Sequence, residues 1–204
     1  MIEPAPRLPR WSPRDGIEGL RDFFARGGLM AIPTESSYGL AADPRNPDGV
    51  EAVYRVKERE RGKALLVVGA DLGQLAALGI DPQASGAAAI AARWPAPLTV
   101  ILPLGPAAEL PAAAGGSTLA FRIPAHDELR KMLSRLGFAL TATSANRAGA
   151  EPIVNPSDLD SLLAGSDAIV WDDGELPGGP PSTLVEKAGA GWNVLRQGAY
   201  RGKL

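Results

Sequence analysis

Arg55-Val56-Lys57-Glu58-Arg59-Glu60-Arg61-Gly62-Lys63-Ala64-Leu65-Leu66-Val67-Val68 holds a helix end, a stop and a strand in one line. The spacing predicts a helix over 50–61, with Gly62 just past its end. Residues 63–68 then read as a strand. Its apolar residues run on without alternating, the pattern of a strand covered on both faces of its sheet. A helix feeding a doubly covered strand is the unit from which α/β domains are built. The same stretch carries five of the chain's 21 basic residues at every second position: Arg55, Lys57, Arg59, Arg61 and Lys63. In a helix reaching Arg61, Arg55 would stack on Arg59 and Lys57 on Arg61. Each such like-charge pair destabilises a helix by roughly 0.2–0.5 kcal/mol, and Glu58 and Glu60 offset only part of that. Two readings stand side by side: cations that complement a helix C-terminus and face water, or a seat for a polyanion completed by groups from elsewhere.

Composition narrows the choice. The chain has 204 residues, enough for one domain with a core of its own, and no internal repeat or linker divides it. At 45% apolar and 22% charged it has the make-up of an ordinary globular protein. A net charge of −2 weighs against coating nucleic acid by bulk electrostatics, so any anion site is local. The absence of cysteine excludes disulfides, thiol nucleophiles and cysteine-ligated zinc, and fits a cytoplasmic location. The one histidine, His126, cannot build a His-ligated metal centre, and a Ser-His-Asp triad would rest on it alone. A capping or surface role suits it better, and no metal site made of protein side chains is expected. The N-terminus lacks an apolar core of the secretory kind. No apolar run approaches the roughly 20 residues that span a bilayer, so no membrane partner is expected.

Working outward from the basic stretch, residues 1–14 read as an extended arm rich in proline and arginine. A helix over 15–26 presents Ile17, Leu20, Phe23 and Phe24 on one face and stops at Gly27-Gly28. A buried strand over 29–32 runs into Pro33-Thr34-Glu35-Ser36-Ser37-Tyr38-Gly39-Leu40, and Asn46 or Asp48 caps the basic helix. On the other side, helices over 71–78 and 83–94 precede a strand over 98–102. A strand over 118–123 carries the lone charge Arg122. Asp127–Leu136 is a helix closed by Gly137, and a strand over 138–143 leads straight into Ser144-Ala145-Asn146. Asn155-Pro156 opens a further helix, and Ala168–Trp171 is a strand. The Gly/Pro-rich residues 172–181 are long enough for a lid. A hairpin, 182–186 with 192–196, closes the pattern. The expectation is a single α/β domain, 1–204 with its core at about 15–198, built on a twisted mixed sheet flanked by helices.

In such sheets ligands sit beyond strand ends. Three polar clusters hold that position: 34–37, 144–146 and 182–183. There is no G-x-G-x-x-G, no G-x-x-x-x-G-K-[ST] and no G-x-S-x-G, which removes the Rossmann fingerprint, the P-loop and the nucleophile elbow. What remains is a set of cations (Lys57, Arg59, Lys63, Arg122, Arg196) with neutral donors (Thr34, Ser36, Thr118, Ser144, Asn146, Ser182). The hydroxyls can equally be turn formers. Arg122 is either an edge-strand side chain reaching solvent or an inward guanidinium that grips a carboxylate or phosphate. This inventory suits phosphoryl or nucleotidyl transfer, where positioning and charge stabilisation dominate and histidine is dispensable. Chemistry alone leads to a nucleotide or another polyanion and no further.

The segment from Pro33 to Leu40 resembles the P-T-E-T-x-Y-G-L motif of the YrdC-like family, the threonylcarbamoyl-AMP synthases. The resemblance continues through Lys57-x-Arg59 with Lys63-Ala64-Leu65, then Arg93-Trp94-Pro95-Ala96-Pro97-Leu98-Thr99, Leu119-Ala120-Phe121-Arg122 and Thr143-Ser144-Ala145-Asn146. It ends with Ser182-Thr183-Leu184-Val185 and Leu195-Arg196-Gln197-Gly198. These blocks stand in the family's order over about 28–198. The paired K-x-R and S-x-N elements are the specific part of the signal.

What the resemblance implies is a concave electropositive cavity and an enzyme that joins L-threonine, bicarbonate or CO2, and ATP. The products would be threonylcarbamoyl-adenylate and pyrophosphate, with Mg2+ accompanying the nucleotide. The adenylate would serve a tRNA-modifying transferase complex downstream. By motif, Arg59, Lys63, Thr118, Ser144 and Arg196 would hold ATP. Arg122 would take the threonine carboxylate, with Thr34 or Ser36 and Ser182 completing that pocket. Lys57 and Asn146, with Arg59 and Ser144, would form the family's polar tetrad. Ser36 replaces the motif's second threonine, Glu60-Arg61 stand where proline is common, and Val68 stands where longer members have histidine. The chain resembles the short, single-domain form. The alternatives are a non-catalytic RNA-binding module using the same basic groove, and a carbamoyl-adenylate-forming relative of the hydrogenase-maturation carbamoyltransferases.

Overall fold

A computed structural model describes residues 7–204, so the first six residues of the predicted arm lie outside the described part. Seventeen α-helical and β-strand segments follow in the order β1 (Arg10–Trp11), α1 (Glu18–Ala25), β2 (Leu29–Pro33), β3 (Tyr38–Ala41), α2 (Pro47–Lys57), β4 (Leu66–Val68), α3 (Leu72–Ala76), α4 (Ala87–Ile90), β5 (Leu98–Pro103), β6 (Thr118–Arg122), α5 (Asp127–Leu136), β7 (Leu140–Thr141), β8 (Thr143–Ser144), α6 (Leu159–Leu162), β9 (Ala168–Trp171), β10 (Thr183–Ala188) and β11 (Gly191–Arg196).

The mixed α/β class is as expected, but the strands divide between two sheets rather than one. The first runs β1-β9-β2-β3-β8 and the second β11-β10-β5-β6-β4-β7. Both mix directions: β2 lies parallel to β9 and antiparallel to β3, while β5 lies parallel to β10 and antiparallel to β6. Part of the predicted arm is therefore sheet, since β1 pairs with β9. Arg10 fixes it there with a two-pronged ion pair to Asp160, 2.8 and 2.9 Å.

Strand β2 explains the continuous apolar runs. Successive side chains leave a strand on opposite faces. Leu29 and Ala31 join a core with Leu40, Val53, Leu98 and Phe121. Met30 and Ile32 join a second core with Phe23 and Phe24 of α1, Leu129 and Leu133 of α5, and Trp171. The strand is buried throughout because helices cover one face and the other sheet's residues the other.

Three sequence-based boundaries move. The helix expected over 83–94 is a single turn, α4, followed by a 3-10 turn at Ala91–Arg93. The strand expected over 138–143 splits at Ala142: β7 belongs to the second sheet and β8 to the first. Thr141, fully buried, stitches the crossing by accepting from the Ala42 amide at 2.9 Å and donating to the Leu40 carbonyl at 3.1 Å. The third and most consequential is the end of α2.

Candidate active site

Helix α2 begins at Asn46, whose side chain accepts from the amides of Asp48 and Gly49, with Pro47 at the first helical position. It ends at Lys57, not at Arg61. Glu58 adopts the left-handed conformation, φ 51°, and the Arg59 amide reaches back to the Tyr54 carbonyl while that of Glu58 reaches Arg55. This is a Schellman closure without the usual glycine. A longer helix would have stacked like charges; the turn separates them instead. Arg61 pairs with Glu51 at 2.5 Å, Lys63 with Glu60 at 3.0 Å, and Glu58 with Arg147. Arg55 faces solvent. Arg61 and Lys63 are thus neutralised outside, while Lys57 and Arg59 turn inward.

Lys57 is only 4% exposed. Its Nζ donates to the Ser144 carbonyl at 2.5 Å, to Asn146 Oδ1 at 2.8 Å and to the Asn146 carbonyl at 3.1 Å. Ser144 Oγ donates to the same Asn146 Oδ1 at 2.6 Å, and Asn146 Nδ2 donates to the Ala150 carbonyl at 2.6 Å. Burial, with the neighbouring Arg59 charge adding to it, pushes the Lys57 ammonium down to about 8. Such a network holds the loop after β8 against the end of α2.

Between the two sheets opens a cavity of about 420 Å³. Its wall is assembled from the turn after β2 (Thr34 to Ser37), from Arg59, from β6 (Ala120, Arg122), from Thr143 and Ser144, from the 178–182 segment and from Arg196. Among the described residues three guanidinium groups face it, Arg59, Arg122 and Arg196, against one carboxylate, Glu35. Strand alternation puts Arg122 there. Leu119 and Phe121 point into the core, so Ala120 and Arg122 take the other face of a strand flanked on both sides, by β5 and β4. Of the two sequence readings of Arg122, the inward one holds.

Arg122 is buried, and Glu35 Oε2 lies 2.9 Å from its Nη1. Burial draws its basicity down, and the Glu35 charge opposes that. Arg196 is drawn down too, first by burial and then by the positive charge of Arg122. Its Nη2 donates to the Ser182 carbonyl at 2.9 Å. Arg59 donates to the Ala64 carbonyl at 2.9 Å, leaving its Nε buried and unpaired. Thr34 Oγ1 donates to the Ser37 carbonyl at 2.7 Å. Cations held this close without enough counter-charge make a site for anions.

The structure therefore brings together Thr34, Ser36, Arg59, Arg122, Ser144, Ser182 and Arg196 around one cavity, with Lys57 and Asn146 directly behind Ser144. Lys63 and Thr118 are not on that wall: both are exposed, and Lys63 is engaged by Glu60. Sequence reasoning passed over three residues. The residue types place Glu35 only within a polar cluster, although a lone acid beside hydroxyls is the natural counter-ion for a lone arginine inside an apolar strand. Thr99, wholly buried, shares a hydrogen bond of 2.7 Å with the Ser182 hydroxyl. Tyr38 donates to the Gly174 carbonyl at 2.7 Å and accepts from the Asp173 amide at 3.1 Å; burial pushes its phenol up to about 12. With Gly178 donating to the Ser36 carbonyl at 2.8 Å, these bonds tack the 172–181 loop down across the cavity. Among the described residues no cluster of three or more histidine, aspartate or glutamate side chains stands ready for a metal, and no helix is long and apolar enough to cross a membrane.

The family model Sua5/YciO/YrdC, described as "Telomere recombination", matches residues 22–198. The threonylcarbamoyl-AMP synthase of Thiobacillus denitrificans is 32% identical over 177 residues, covering 86% of this chain and 93% of the relative. That of Stenotrophomonas maltophilia is 39% identical over 174 residues, covering 83% and 91%. Among solved structures, P. abyssi Sua5 complexed with L-threonine superposes with a TM-score of 0.80 at 28% identity over 95% of this chain. This chain spans 58% of the length of that Sua5.

Proposed function

The chain belongs to the Sua5/YciO/YrdC family, and we propose that it is an L-threonylcarbamoyladenylate synthase. The observation that carries the proposal is convergence: Arg59, Arg122, Ser144, Ser182 and Arg196, scattered along the chain, line one cavity. In the proposed reaction the threonine amine is first carboxylated by CO2 derived from bicarbonate. An oxygen of the resulting carbamate attacks the α-phosphorus of ATP, and pyrophosphate leaves.

Such a reaction needs little acid–base work and much fixed positive charge where charge builds on the phosphoryl oxygens. Arg59 and Arg196, with Ser144, supply that for ATP. Arg122 takes the threonine carboxylate, beside the hydroxyls of Thr34, Ser36 and Ser182. Lys57 and Asn146 position Ser144 from behind. A role for Lys63 would require it to leave Glu60, and Thr118 would have to act from outside the wall. Mg2+ belongs with the nucleotide as its counter-ion, because the one carboxylate on the wall is already engaged by Arg122. The adenylate passes to a tRNA-modifying transferase complex, and the reaction is cytoplasmic, where its substrates are.

The test is pyrophosphate release from ATP that requires both L-threonine and bicarbonate. Release without either co-substrate, or none with both, removes the proposal. The RNA-binding reading is disfavoured because Arg61, Lys63 and Arg147 are each matched by a glutamate. It would show itself as RNA affinity that falls steeply with salt, without turnover. A carbamoyl-adenylate former would accept carbamoyl phosphate in place of threonine and bicarbonate.

A further inference from the structure

Among the described residues, Glu35 is the sole carboxylate lining a cavity that carries three guanidinium groups. Its Oε2 stands 2.9 Å from Arg122 Nη1, yet that oxygen makes no aligned hydrogen bond, and Arg122 Nε has no partner either. Both atoms are buried. The other oxygen, Oε1, accepts from the Ala125 amide at 2.6 Å, which fixes the carboxylate in orientation. The backbone beneath it is equally fixed, since the Thr34 amide and hydroxyl both bond the Ser37 carbonyl, at 3.2 and 2.7 Å.

An arginine neutralised in this way is a poor seat for a lone carboxylate, because two anions would then share one cation. It is a good seat for a molecule that brings its own cation. In an α-amino acid the ammonium nitrogen and the carboxylate carbon are bonded to the same carbon atom. Recognising both ends therefore takes an acid and a base in direct contact, each keeping some exposure to the cavity, and the side chains of Glu35 and Arg122 are 19% and 8% exposed there. We propose that Glu35 receives the substrate's α-ammonium, so that Glu35 and Arg122 together read the zwitterion and select an α-amino acid over other small carboxylates. This rests on the reading of the cavity as a threonine site and names a specificity residue within it. The competing view is that Glu35 serves only as a structural counter-ion for the buried Arg122. That view predicts no selectivity for the amine.

The experiment compares L-threonine with (2S,3R)-2,3-dihydroxybutanoate, in which a hydroxyl replaces the ammonium, by calorimetric titration of the full chain. The wild type is expected to prefer L-threonine at least tenfold. Glu35→Gln, whose carboxamide oxygen can still accept from Ala125, is expected to bring the two within about threefold. The ratio does not depend on the fraction of protein folded. If Glu35→Gln leaves too unstable a chain, Glu35→Asp, which keeps a counter-charge for Arg122 but is one methylene shorter, should cut the preference at least threefold. A wild-type ratio near one, or a tenfold preference that survives in either variant, overturns the inference. Pyrophosphate release separates the two levels. Wild-type turnover with an unchanged ratio in the variants sinks the role of Glu35 alone. Threonine selectivity without turnover sinks the synthase reading and leaves Glu35 standing.

Discussion

The Lys57 ammonium lies 2.5 Å from the backbone carbonyl of Ser144, and the Ser144 hydroxyl shares Asn146 Oδ1 with that ammonium. A buried cation thus sets the position of a hydroxyl on the cavity wall. It also couples the end of α2 to the loop after β8, which further bonds back through the Ala148 amide to the Lys57 carbonyl at 2.8 Å.

That burial carries a pH signature. The ammonium's pKa is lowered from 10.5 to about 8, burial being the larger cause and Arg59 the smaller. Between these values the unfolded chain holds a proton that the native chain has released, so stability rises with pH across that window. The size of the drop sets a ceiling of about 3 kcal/mol, and the three acceptors around Nζ reduce it. Urea unfolding at pH 7.5 and pH 10 should give the wild type about 1–2 kcal/mol more upward change than Lys57→Met. Equal changes in the two proteins would refute the assignment.

Arg59→Ala and Ser144→Ala should each lower turnover at least tenfold, about 1.4 kcal/mol of barrier, while circular dichroism stays native. The Arg59 side chain contributes charge at the cavity and a single hydrogen bond among the described residues, to the Ala64 carbonyl. Ser144 contributes a hydroxyl held by Asn146. Full activity in both would mean that the chemistry happens elsewhere.

Thr99 tests how finely the amino-acid side of the cavity is set. Its hydroxyl is wholly buried, and Ser182 Oγ at 2.7 Å is its one side-chain partner. Thr99→Val keeps the shape and removes the bond, at a cost of about 1 kcal/mol in stability. The KM for L-threonine should rise several-fold with kcat little changed, because Ser182 loses its orientation and not its place. Thr99→Ser should restore the KM. A Thr99→Ser protein no better than Thr99→Val would assign Thr99 to packing alone.

Much of the framework was legible in the residues. Helix α5 and strand β9 occupy the predicted Asp127–Leu136 and Ala168–Trp171, because a strong apolar face, a His126 cap and a left-handed Gly137 punctuate the first. The division into two sheets was not legible. It turns on a crossing at Ala142 within an apolar run that looks uniform, and on pairings such as β4 with β6 that join distant segments. Most of the cavity wall could be named from residue types and motif order. Which cations face it could not, since that depends on three surface glutamates that neutralise Arg61, Lys63 and Arg147. The role of Glu35 is not legible from its own segment, because it comes from Arg122, a partner far along the chain.

Helix α2 ends at Lys57, four residues short of the predicted Arg61, for a reason that can itself be tested. Gly62 looked like the stop, but the chain turns at Glu58 in a conformation that costs a non-glycine residue about 1–2 kcal/mol. The exposed pair of Glu58 with Arg147 returns little of that, since both side chains are more than half exposed. Glu58→Gly should therefore stabilise the fold by about 0.5–1 kcal/mol, read as a higher urea midpoint with an unchanged slope. Lys57 and Arg59 would keep their inward directions, so pyrophosphate release should be unaltered at saturating substrate. A destabilised Glu58→Gly would show that the left-handed turn is held by the Glu58 side chain. In that case the Arg147 pair, and not the backbone closure from Arg59 to Tyr54, would be what directs the two cations into the cavity.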